Sequence, residues 1–228
     1  MSGSGRLASA ALPQEEPYHF PDRLLQEATR KSERTRAGLQ AAACRLLDGA
    51  SPSELKVSDI CREAQVAHGT FYVYFRDIRH LLGETLLEFV VFMQTVMRNA
   101  GNLESGSERA RRATAAYVGM FEQNAGLMRC LVSRVDDLPE AAEAFQRLNR
   151  EWAETVVDSR LRRLEREGSP GAIRREELLR RAYALGGMVD QYLIMLLFGS
   201  DETLAAVSQD RDALVETLTL IWERSMDA

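Results

Sequence analysis

The chain has 228 residues, of which 45% are hydrophobic and 28% are charged, and its formal net charge is −5. This length suits one large domain, or a small domain packed on a larger one. The longest apolar run, residues 192–198, is far shorter than the roughly 20 residues that cross a membrane, and the first residues lack the apolar core of a secretory signal. The composition argues against a membrane span and predicts a cytoplasmic protein.

The chain begins with a segment that has no helical or strand-like periodicity. Residues 1–22 hold three of the six prolines, so we expect a disordered tail there. Residues 23–80 contain ten Lys+Arg and seven Asp+Glu, whereas residues 81–228 contain eighteen Lys+Arg and twenty-four Asp+Glu. This asymmetry is typical of a DNA-binding head, residues 23–80, joined to a larger body, residues 81–228, that does not bind DNA.

Helical periodicity dominates the rest of the chain. Apolar residues recur three and four positions apart, as at Leu82, Leu86 and Phe89, and no strand alternation competes. The last two segments, near residues 172–198 and 202–226, are long. The sequence therefore predicts an all-α protein, with an N-terminal three-helix helix-turn-helix domain and a larger C-terminal helical domain for ligand binding and dimerisation.

The cysteines follow the same helical pattern. Cys44, Cys61 and Cys130 are odd in number, widely spaced and set among apolar residues. We expect buried free thiols at these positions rather than disulfides or a metal site. The sequence indicates no cofactor.

The segments within residues 35–82 are unusually short. A helix that ends at Leu47 is followed by helices over residues 58–64 and 68–75, with a three-residue break between them, which is helix-turn-helix spacing. Inward packing is expected for the following apolar residues: Leu39, Ala43, Leu46, Ile60, Ala64, Val66, Phe71 and Phe75. The open side of the last helix would then carry His68, Gly69, Thr70, Tyr72, Val73 and Tyr74. Such a helix can enter a major groove.

This stretch resembles the TetR family of bacterial regulators. The resemblance rests on Leu39-x-x-x-Ala43-x-x-Leu46-Leu47, Val57-x-x-Ile60, Ala64-x-Val66-x-x-Gly69-Thr70-Phe71-Tyr72-x-Tyr74-Phe75 and Leu81-Leu82. In that family the residues matching Tyr72 and Tyr74 hold phosphates, and the helix matching residues 68–74 lies in the major groove. The DNA-binding residues that the resemblance implies are Lys56, Arg62, His68, Gly69, Thr70, Tyr72, Val73, Tyr74 and Arg76.

Four positions depart from the family pattern. Gln65 replaces the turn glycine, so a left-handed backbone there would cost on the order of 1 kcal/mol. Ala67 replaces a capping serine, Lys56 a threonine, and Ile78 a lysine. Arg76 or Arg79 can replace the lost cation, because phosphate contacts do not need one particular residue.

Several of these residues have a second interpretation. Tyr72 and Tyr74 fit surface aromatics as well as phosphate contacts, and His68 fits either a DNA contact or a solvated side chain. The cations at the start of the first helix fit either a DNA backbone contact or an ordinary solvated face. These cations are Arg30, Lys31, Arg34 and Arg36.

The body offers a candidate dimer surface. Residues 185–198 are apolar nearly all round the helix, and TetR-like proteins dimerise through their last two helices. The interface residues expected on this basis are Leu185, Met188, Val189, Met195, Phe198, Leu214, Leu218, Ile221 and Trp222. Core packing within one subunit is the alternative.

The middle helices of the body offer a candidate effector site, as the resemblance implies. Aromatic rings and methionines suit a hydrophobic or amphipathic guest, with Asp190 and Gln191 as polar anchors. The expected lining residues are Phe89, Phe92, Met93, Met97, Tyr117, Met120, Phe121, Leu127, Met128, Trp152, Tyr183, Asp190 and Gln191. Core filling is again the alternative.

The predicted function is that of a ligand-responsive transcriptional repressor. It would bind operator DNA as a homodimer and be released by a small hydrophobic or amphipathic effector. A helical interaction protein of the same fold that has lost specific DNA binding is the alternative. An enzyme is not expected, because the three histidines form no paired Glu-x-x-His set and no Gly-rich phosphate loop occurs.

Overall fold

The computed structural model describes residues 18–102, 107–132, 138–169, 171 and 173–227. Within these ranges the chain is helical and has no strand, which confirms the all-α prediction. The helices are α1 (Phe20–Glu27), α2 (Lys31–Leu47), a short 3-10 helix (Pro52–Glu54), α3 (Val57–Glu63), α4 (His68–Tyr74), α5 (Ile78–Asn102), α6 (Ser107–Gln123), α7 (Ala125–Val132), α8 (Pro139–Arg166), α9 (Arg175–Phe198), α10 (Glu202–Val207) and α11 (Arg211–Asp227).

The chain becomes helical earlier than its sequence suggests. Helix α1 begins at Phe20, inside the segment expected to be a disordered tail, whereas residues 1–17 lie outside the described residues. Pro21 sits in the first turn of α1, where its missing N–H would have no helical partner. The ring of Phe20 packs 5.3 Å from that of Phe89 and 5.6 Å from that of Phe92. Burial of Phe20 against α5 therefore orders a segment whose local pattern is weak.

Helices α2, α3 and α4 form the helix-turn-helix unit. Glu33 in the first turn of α2 accepts hydrogen bonds from the backbone N–H groups of Thr29 (3.1 Å) and Arg30 (3.0 Å). These bonds fix the start of the helix and hold the pKa of Glu33 below its ordinary value, with the Arg30 N–H as the largest cause. The unit closes on a core in which Leu39 and Ile60 have no exposed surface.

Helix α5 connects the head to the body. Near its start, Glu84 and Glu88 pair with Arg36 of α2 at 2.6 and 3.1 Å, and further along Phe89 and Met93 are buried. Its stretch Ile78–Ala100 is long and apolar enough to cross a membrane by length and composition, the one such helix among the described residues. Its polar residues, such as Glu84 and Glu88, interrupt the apolar runs, so the sequence pattern did not indicate a span here. Its buried side chains belong to the core that joins the head and the body.

The body contains two groups of buried side chains. The larger continues from the head into α5, α6 and α7, and includes Met120 and Phe121. The smaller joins α8, α9 and α11 through Val157, Leu178 and Met226, and it is separate from the first. Trp222 of α11 packs against both groups. This ring therefore lies where the two parts of the body core meet.

The final helix predicted over residues 202–226 is two helices in the structure. Asp201 caps α10 by accepting from the N–H groups of Thr203 and Leu204 at 2.9 and 3.0 Å. Asp210 accepts from Ala213 N–H at 3.1 Å before α11 begins. A side-chain cap of this kind favours a new helix start over continuation, which is why one apolar pattern yields two helices.

The three cysteines are buried free thiols, as the sequence predicts. Burial raises the pKa of Cys130 to about 11 and that of Cys44 further. A thiol with so high a pKa is a poor nucleophile at neutral pH, so these residues fill the core.

Candidate DNA interface and effector region

Helix α4 has one buried face and one open face. Phe71 and Phe75 at its end are 0% and 1% exposed, whereas Tyr72 and Val73 are 55% and 76% exposed. The buried rings fix the helix against α2 and α3, and leave a short ridge that protein does not cover. His68 and Gly69 are exposed on that ridge, and Thr70 is partly exposed. The open face predicted from the sequence is therefore present.

Tyr74 is the exception on this helix. It is partly buried and packs against the hydrophobic core of the head, although its sequence position places it among the exposed residues. The reason is that Tyr74 is three residues after Phe71, so its ring stem lies beside the inward face. Tyr72, whose ring centroid is 5.6 Å from that of His68, remains on the open face.

The turn before α4 requires a backbone that most residues avoid. Gln65 has φ of 57°, the only positive value for a non-glycine residue in the described chain. The N–H of Val66 donates to Cys61 O at 3.0 Å, and the N–H of Gln65 donates to Arg62 O at 3.2 Å. These two bonds are the Schellman pattern that ends a helix with a left-handed residue. The strain expected at Gln65 is therefore built into the turn.

The other departures from the family pattern also have structural outcomes. Ala67 stands at the N-cap of α4 and Lys56 at the N-cap of α3, and neither side chain makes a capping bond. Ile78 packs against the core instead of facing solvent. Arg76 and Arg79 are exposed on either side of it, so cations remain at this end of the ridge.

The cations at the start of α2 do not form one set. Arg30, Lys31 and Arg34 are exposed, and Lys31 and Arg34 line a surface cavity of about 420 Å³ between α2 and the turn before α4. Arg36 instead faces α5, where it pairs with Glu84 and Glu88. These two ion pairs distinguish Arg36 from the other three cations, and its contact with the DNA backbone stays a prediction.

Most of the residues predicted to bind an effector lie inside the protein. Phe89, Phe92, Met93, Met120, Phe121, Leu127 and Met128 are buried, and Met97, Tyr117, Trp152 and Asp190 are partly buried. Tyr117 donates a hydrogen bond to Asp190 Oδ1 at 2.5 Å, between α6 and α9. Desolvation raises the pKa of both groups.

Two residues predicted to line the effector site lie elsewhere. Tyr183 is 50% exposed and Gln191 is also exposed, so both are on the outer face of α9, away from the hydrogen bond between Tyr117 and Asp190. Helix α9 has apolar residues on several faces, and spacing alone does not identify the face that meets α6.

The predicted dimer residues also divide into two groups. Leu185, Val189, Leu214 and Leu218 are buried within the single chain, because α9 and α11 use those faces to pack on the body. Met188, Met195 and Ile221 are exposed by 37%, 45% and 36%. Leu220, which is not among the predicted interface residues, is 43% exposed. Phe198 is partly buried, with the guanidinium of Arg129 4.6 Å from its ring centroid, and Trp222 is partly buried against Trp152.

A junction between the head and the body leaves almost no pattern in the sequence. Arg129 of α7 donates to Leu47 O at 2.9 Å and to Ala50 O at 2.7 Å, at the end of α2. A Cβ atom added to Gly126 would lie 2.5 Å from the carbonyl carbon of Leu47, so only glycine allows this approach. The only sequence feature that could have indicated this junction is an isolated glycine, Gly126, followed three residues later by Arg129 within an apolar segment.

A second part of this junction involves α1. Asn124 is 3% exposed and accepts from the N–H of Phe20 at 2.9 Å, while its amide donates to Tyr18 O at 2.7 Å and Met120 O at 3.0 Å. A buried amide with this many partners fixes α1 against the body.

A further cavity of about 500 Å³ opens at the far end of the body. It is lined by Arg160, Leu164, Ile173, Arg174, Glu177, Arg181 and Asp227. Arg160 and Arg181 donate to the last carbonyls of α11, Met226 O and Ser225 O, at 3.0 and 2.8 Å. These arginines cap a helix end, which accounts for their position.

Comparison with known proteins agrees with this geometry. Residues 39–85, from α2 into α5, match the family model for bacterial regulatory proteins of the tetR family. No curated protein matches the chain.

Similar folds occur among solved structures. A TetR-family transcriptional regulator from Bordetella parapertussis has a TM-score of 0.62 at 18% identity, covering 82% of this chain and 93% of its own. The fatty acid degradation regulator FadR from Bacillus halodurans has 0.61 at 16%, covering 82% and 94%. FadR from Bacillus subtilis, solved in complex with stearoyl-CoA, has 0.59 at 16%, covering 83% and 96%. Residues 39–85 are therefore similar to the tetR family of bacterial regulatory proteins, and the chain shares its fold with these solved regulators.

Proposed function

We propose that this protein is a ligand-responsive repressor, which binds operator DNA as a homodimer in the cytoplasm and releases it when a small hydrophobic or amphipathic effector enters the body. The observation that carries the proposal is the two-sided α4. Its buried rings, Phe71 and Phe75, hold a ridge of exposed residues at a fixed position, within the segment that matches the family model. A rigid exposed helix is what major-groove reading requires.

Two kinds of contact are assigned to the head. Thr70 and Val73 would meet base edges, because they lie on the open face of α4 and Val73 is 76% exposed. Tyr72, Lys56 and the exposed cations at the start of α2 would meet phosphates, which position the protein without selecting a sequence. Tyr74, being partly buried, could reach a phosphate only through its hydroxyl.

Dimerisation would use the outer faces of α9 and α11. Met188, Met195, Leu220 and Ile221 expose apolar surface there, on two helices that pack against each other. A second copy would cover this surface and place the two α4 helices in successive major grooves, about 34 Å apart.

Release would follow from a change in the tilt of α5. The Bacillus subtilis FadR of similar fold was solved with stearoyl-CoA, and the body of this chain is likewise rich in apolar and aromatic residues. Arg129 and Asn124 connect the body to α2 and α1, so a guest that moves α7 would also move the head. The population of the DNA-binding arrangement then falls to the extent that the guest binds the other arrangement more tightly.

The test of DNA reading is selection from a random duplex pool, followed by gel shifts with variants. Tyr72→Phe should weaken binding to all selected sequences by a similar factor, whereas Val73→Thr should change the selected sequence. Tyr183→Phe, which removes a hydroxyl from a similarly exposed tyrosine in the body, is the matched control.

A lack of salt-dependent DNA binding would contradict the repressor function. If the wild-type chain binds no duplex even at low salt, where phosphate contacts are strongest, the alternative of a helical interaction protein replaces the proposal. Sedimentation at micromolar concentration tests the dimer separately, since a helical monomer would exclude it.

A further inference from the structure

The first described segment of the chain contacts both the head and the body. Residues 18–27, here called the clasp, comprise Tyr18, His19 and helix α1. Helix α1 packs along α2 of the helix-turn-helix unit, and Leu24 is buried in the core that joins the head and the body. The start of the clasp instead meets α5, α6 and α7. One short segment therefore links the helix-turn-helix unit to the body.

A buried amide holds the start of the clasp. Asn124 Oδ1 accepts from the N–H of Phe20 at 2.9 Å, and Nδ2 donates to Tyr18 O at 2.7 Å, so both ends of one amide bind the clasp. The same Nδ2 donates to Met120 O at 3.0 Å within the body. Asn124 is 3% exposed, so water competes little for these bonds. Because hydrogen bonds are directional, this amide favours one position of the clasp.

The ring of Tyr18 makes a second contact with the body. A Cβ atom on Gly119 of α6 would lie 2.8 Å from Tyr18 Cδ2 and 3.0 Å from Cε2, so the ring rests on the helix where no side chain stands. An alanine at this position would push the ring away, because its methyl group would need the space that the ring occupies. Gly119→Ala therefore loosens the clasp without changing Asn124.

The clasp and Arg129 attach the body to different elements of the head. Arg129 binds the end of α2 through Leu47 O and Ala50 O, whereas Asn124 binds the clasp, which packs along α2. One attachment alone would let the head turn about it. A second attachment, on another element, opposes that turn, so the two together set the orientation of the head.

We propose that Asn124 is a positioning residue for operator reading: by holding the clasp, it keeps each head at one orientation to its body and so restricts the dimer to one spacing of half-sites. This inference rests on the proposed function, because half-site spacing has meaning only for a dimer on DNA. Each added base pair moves a half-site by about 3.4 Å along the duplex and turns it by about 35°. A head fixed to its body cannot follow both changes.

Opening of the clasp would leave the head folded. Leu39, Ile60 and Phe71 come from α2, α3 and α4, and none of them has exposed surface. These helices therefore keep a core of their own when the start of the clasp leaves Asn124. A folded head that is free to turn still makes its phosphate and base contacts, but it accepts more than one spacing.

Hydrogen exchange of the full chain without DNA tests the clasp itself. Asn124→Ala and Gly119→Ala should each speed exchange of the α1 amides by about tenfold or more, while the amides of α3 and α4 exchange as in wild type. The matched controls are Asn99→Ala, an exposed asparagine on α5, and Gly38→Ala, where a Cβ meets no atom within 4 Å. Both controls should leave exchange of α1 unchanged.

Gel shifts on duplexes of altered spacing test the positioning role. An operator selected by the wild-type chain would be rebuilt with one base pair added or removed between its half-sites. Wild type and Asn99→Ala should lose about tenfold or more in affinity on these duplexes, whereas Asn124→Ala and Gly119→Ala should lose about threefold or less. A merely structural hydrogen bond would affect stability and leave this ratio unchanged.

Two results would overturn the positioning role. Unchanged exchange of α1 in the folded variants would show that Asn124 does not hold the clasp, and an unchanged spacing ratio would show that the clasp does not orient the head. If Asn124→Ala does not fold by circular dichroism, Gly119→Ala decides, since the nearest atoms to its Cβ belong to the side chains of Tyr18 and Arg211. Absence of wild-type binding to any duplex would instead contradict the proposed function, and the role of Asn124 in spacing with it.

Discussion

The head and the body use apolar residues in different ways. In the head, short helices have one apolar face each, so that Phe71 is buried while its neighbour Val73 is 76% exposed. In the body, α9 is apolar on several faces, and Val189 is buried while Met188 beside it is 37% exposed. The orientation of a helix with one apolar face can be predicted from its sequence. The orientation of a helix that is apolar all round depends on the helices that pack against it.

The junction between these regions differs from both. It relies on a close backbone approach at Gly126 and on hydrogen bonds from Arg129 and Asn124, rather than on an apolar face. Contacts of this kind are directional, so they fix how the two regions are placed relative to each other. Four measurements test this difference between the head, the body and the junction.

The largest effect is expected from the buried side of α4. Phe71→Ala should lower the free energy of unfolding by about 3–5 kcal/mol, because it removes a fully buried ring and leaves a cavity. Val73→Ala, on the open side of the same helix, should change it by less than about 0.5 kcal/mol. Urea unfolding followed by circular dichroism measures both. Similar losses in the two variants would mean that α4 is not two-sided.

The next effect concerns the junction. Gly126→Ala should destabilise the protein by about 1–3 kcal/mol, because its Cβ would be 2.5 Å from the Leu47 carbonyl carbon. Gly38→Ala is the matched control, since a Cβ there meets no atom within 4 Å, and it should stabilise α2 by up to about 1 kcal/mol. Thermal unfolding of the pair reports the difference. Stabilisation by both substitutions would exclude a tight contact between α7 and α2.

A smaller effect is expected in the turn before α4. Gln65→Gly should stabilise the protein by about 1 kcal/mol, because glycine adopts the left-handed φ of 57° without steric cost. Gln146→Gly, at an exposed position within α8, should destabilise the protein by a similar amount, because glycine is a poor helix former. Urea midpoints compare the two. A loss of stability in Gln65→Gly would show that this turn is not strained.

The smallest effect is a pH dependence in the body. Burial raises the pKa of Asp190 above its ordinary value of 3.8, so the folded chain holds this proton more tightly than the unfolded chain does. The contribution of Asp190 to stability therefore falls as pH rises through the window between these two pKa values. Asp190→Asn removes this dependence, so its stability relative to wild type should increase from about pH 4 to about pH 7. A constant difference across that range would mean that Asp190 is not desolvated.

The sequence by itself determined the helical class, the position of the helix-turn-helix and the two sides of α4. Those features depend on interactions within a few residues: the spacing of Phe71 and Phe75, and the turn at Gln65, where φ of 57° agrees with the left-handed backbone expected of the glycine it replaces. It also indicated burial of all three cysteines, because each lies within an apolar helical pattern.

Only the tertiary structure decided which faces of the body helices meet. Spacing could not tell that Asp190 faces Tyr117 while Gln191 next to it faces outward, because α9 is apolar on more than one side. The ordered position of α1 likewise depends on Phe89, Phe92 and Asn124, which are distant from it in sequence. Contacts between residues 69 or more positions apart, as these are, leave no local pattern, so the sites in the body follow from packing rather than from the sequence.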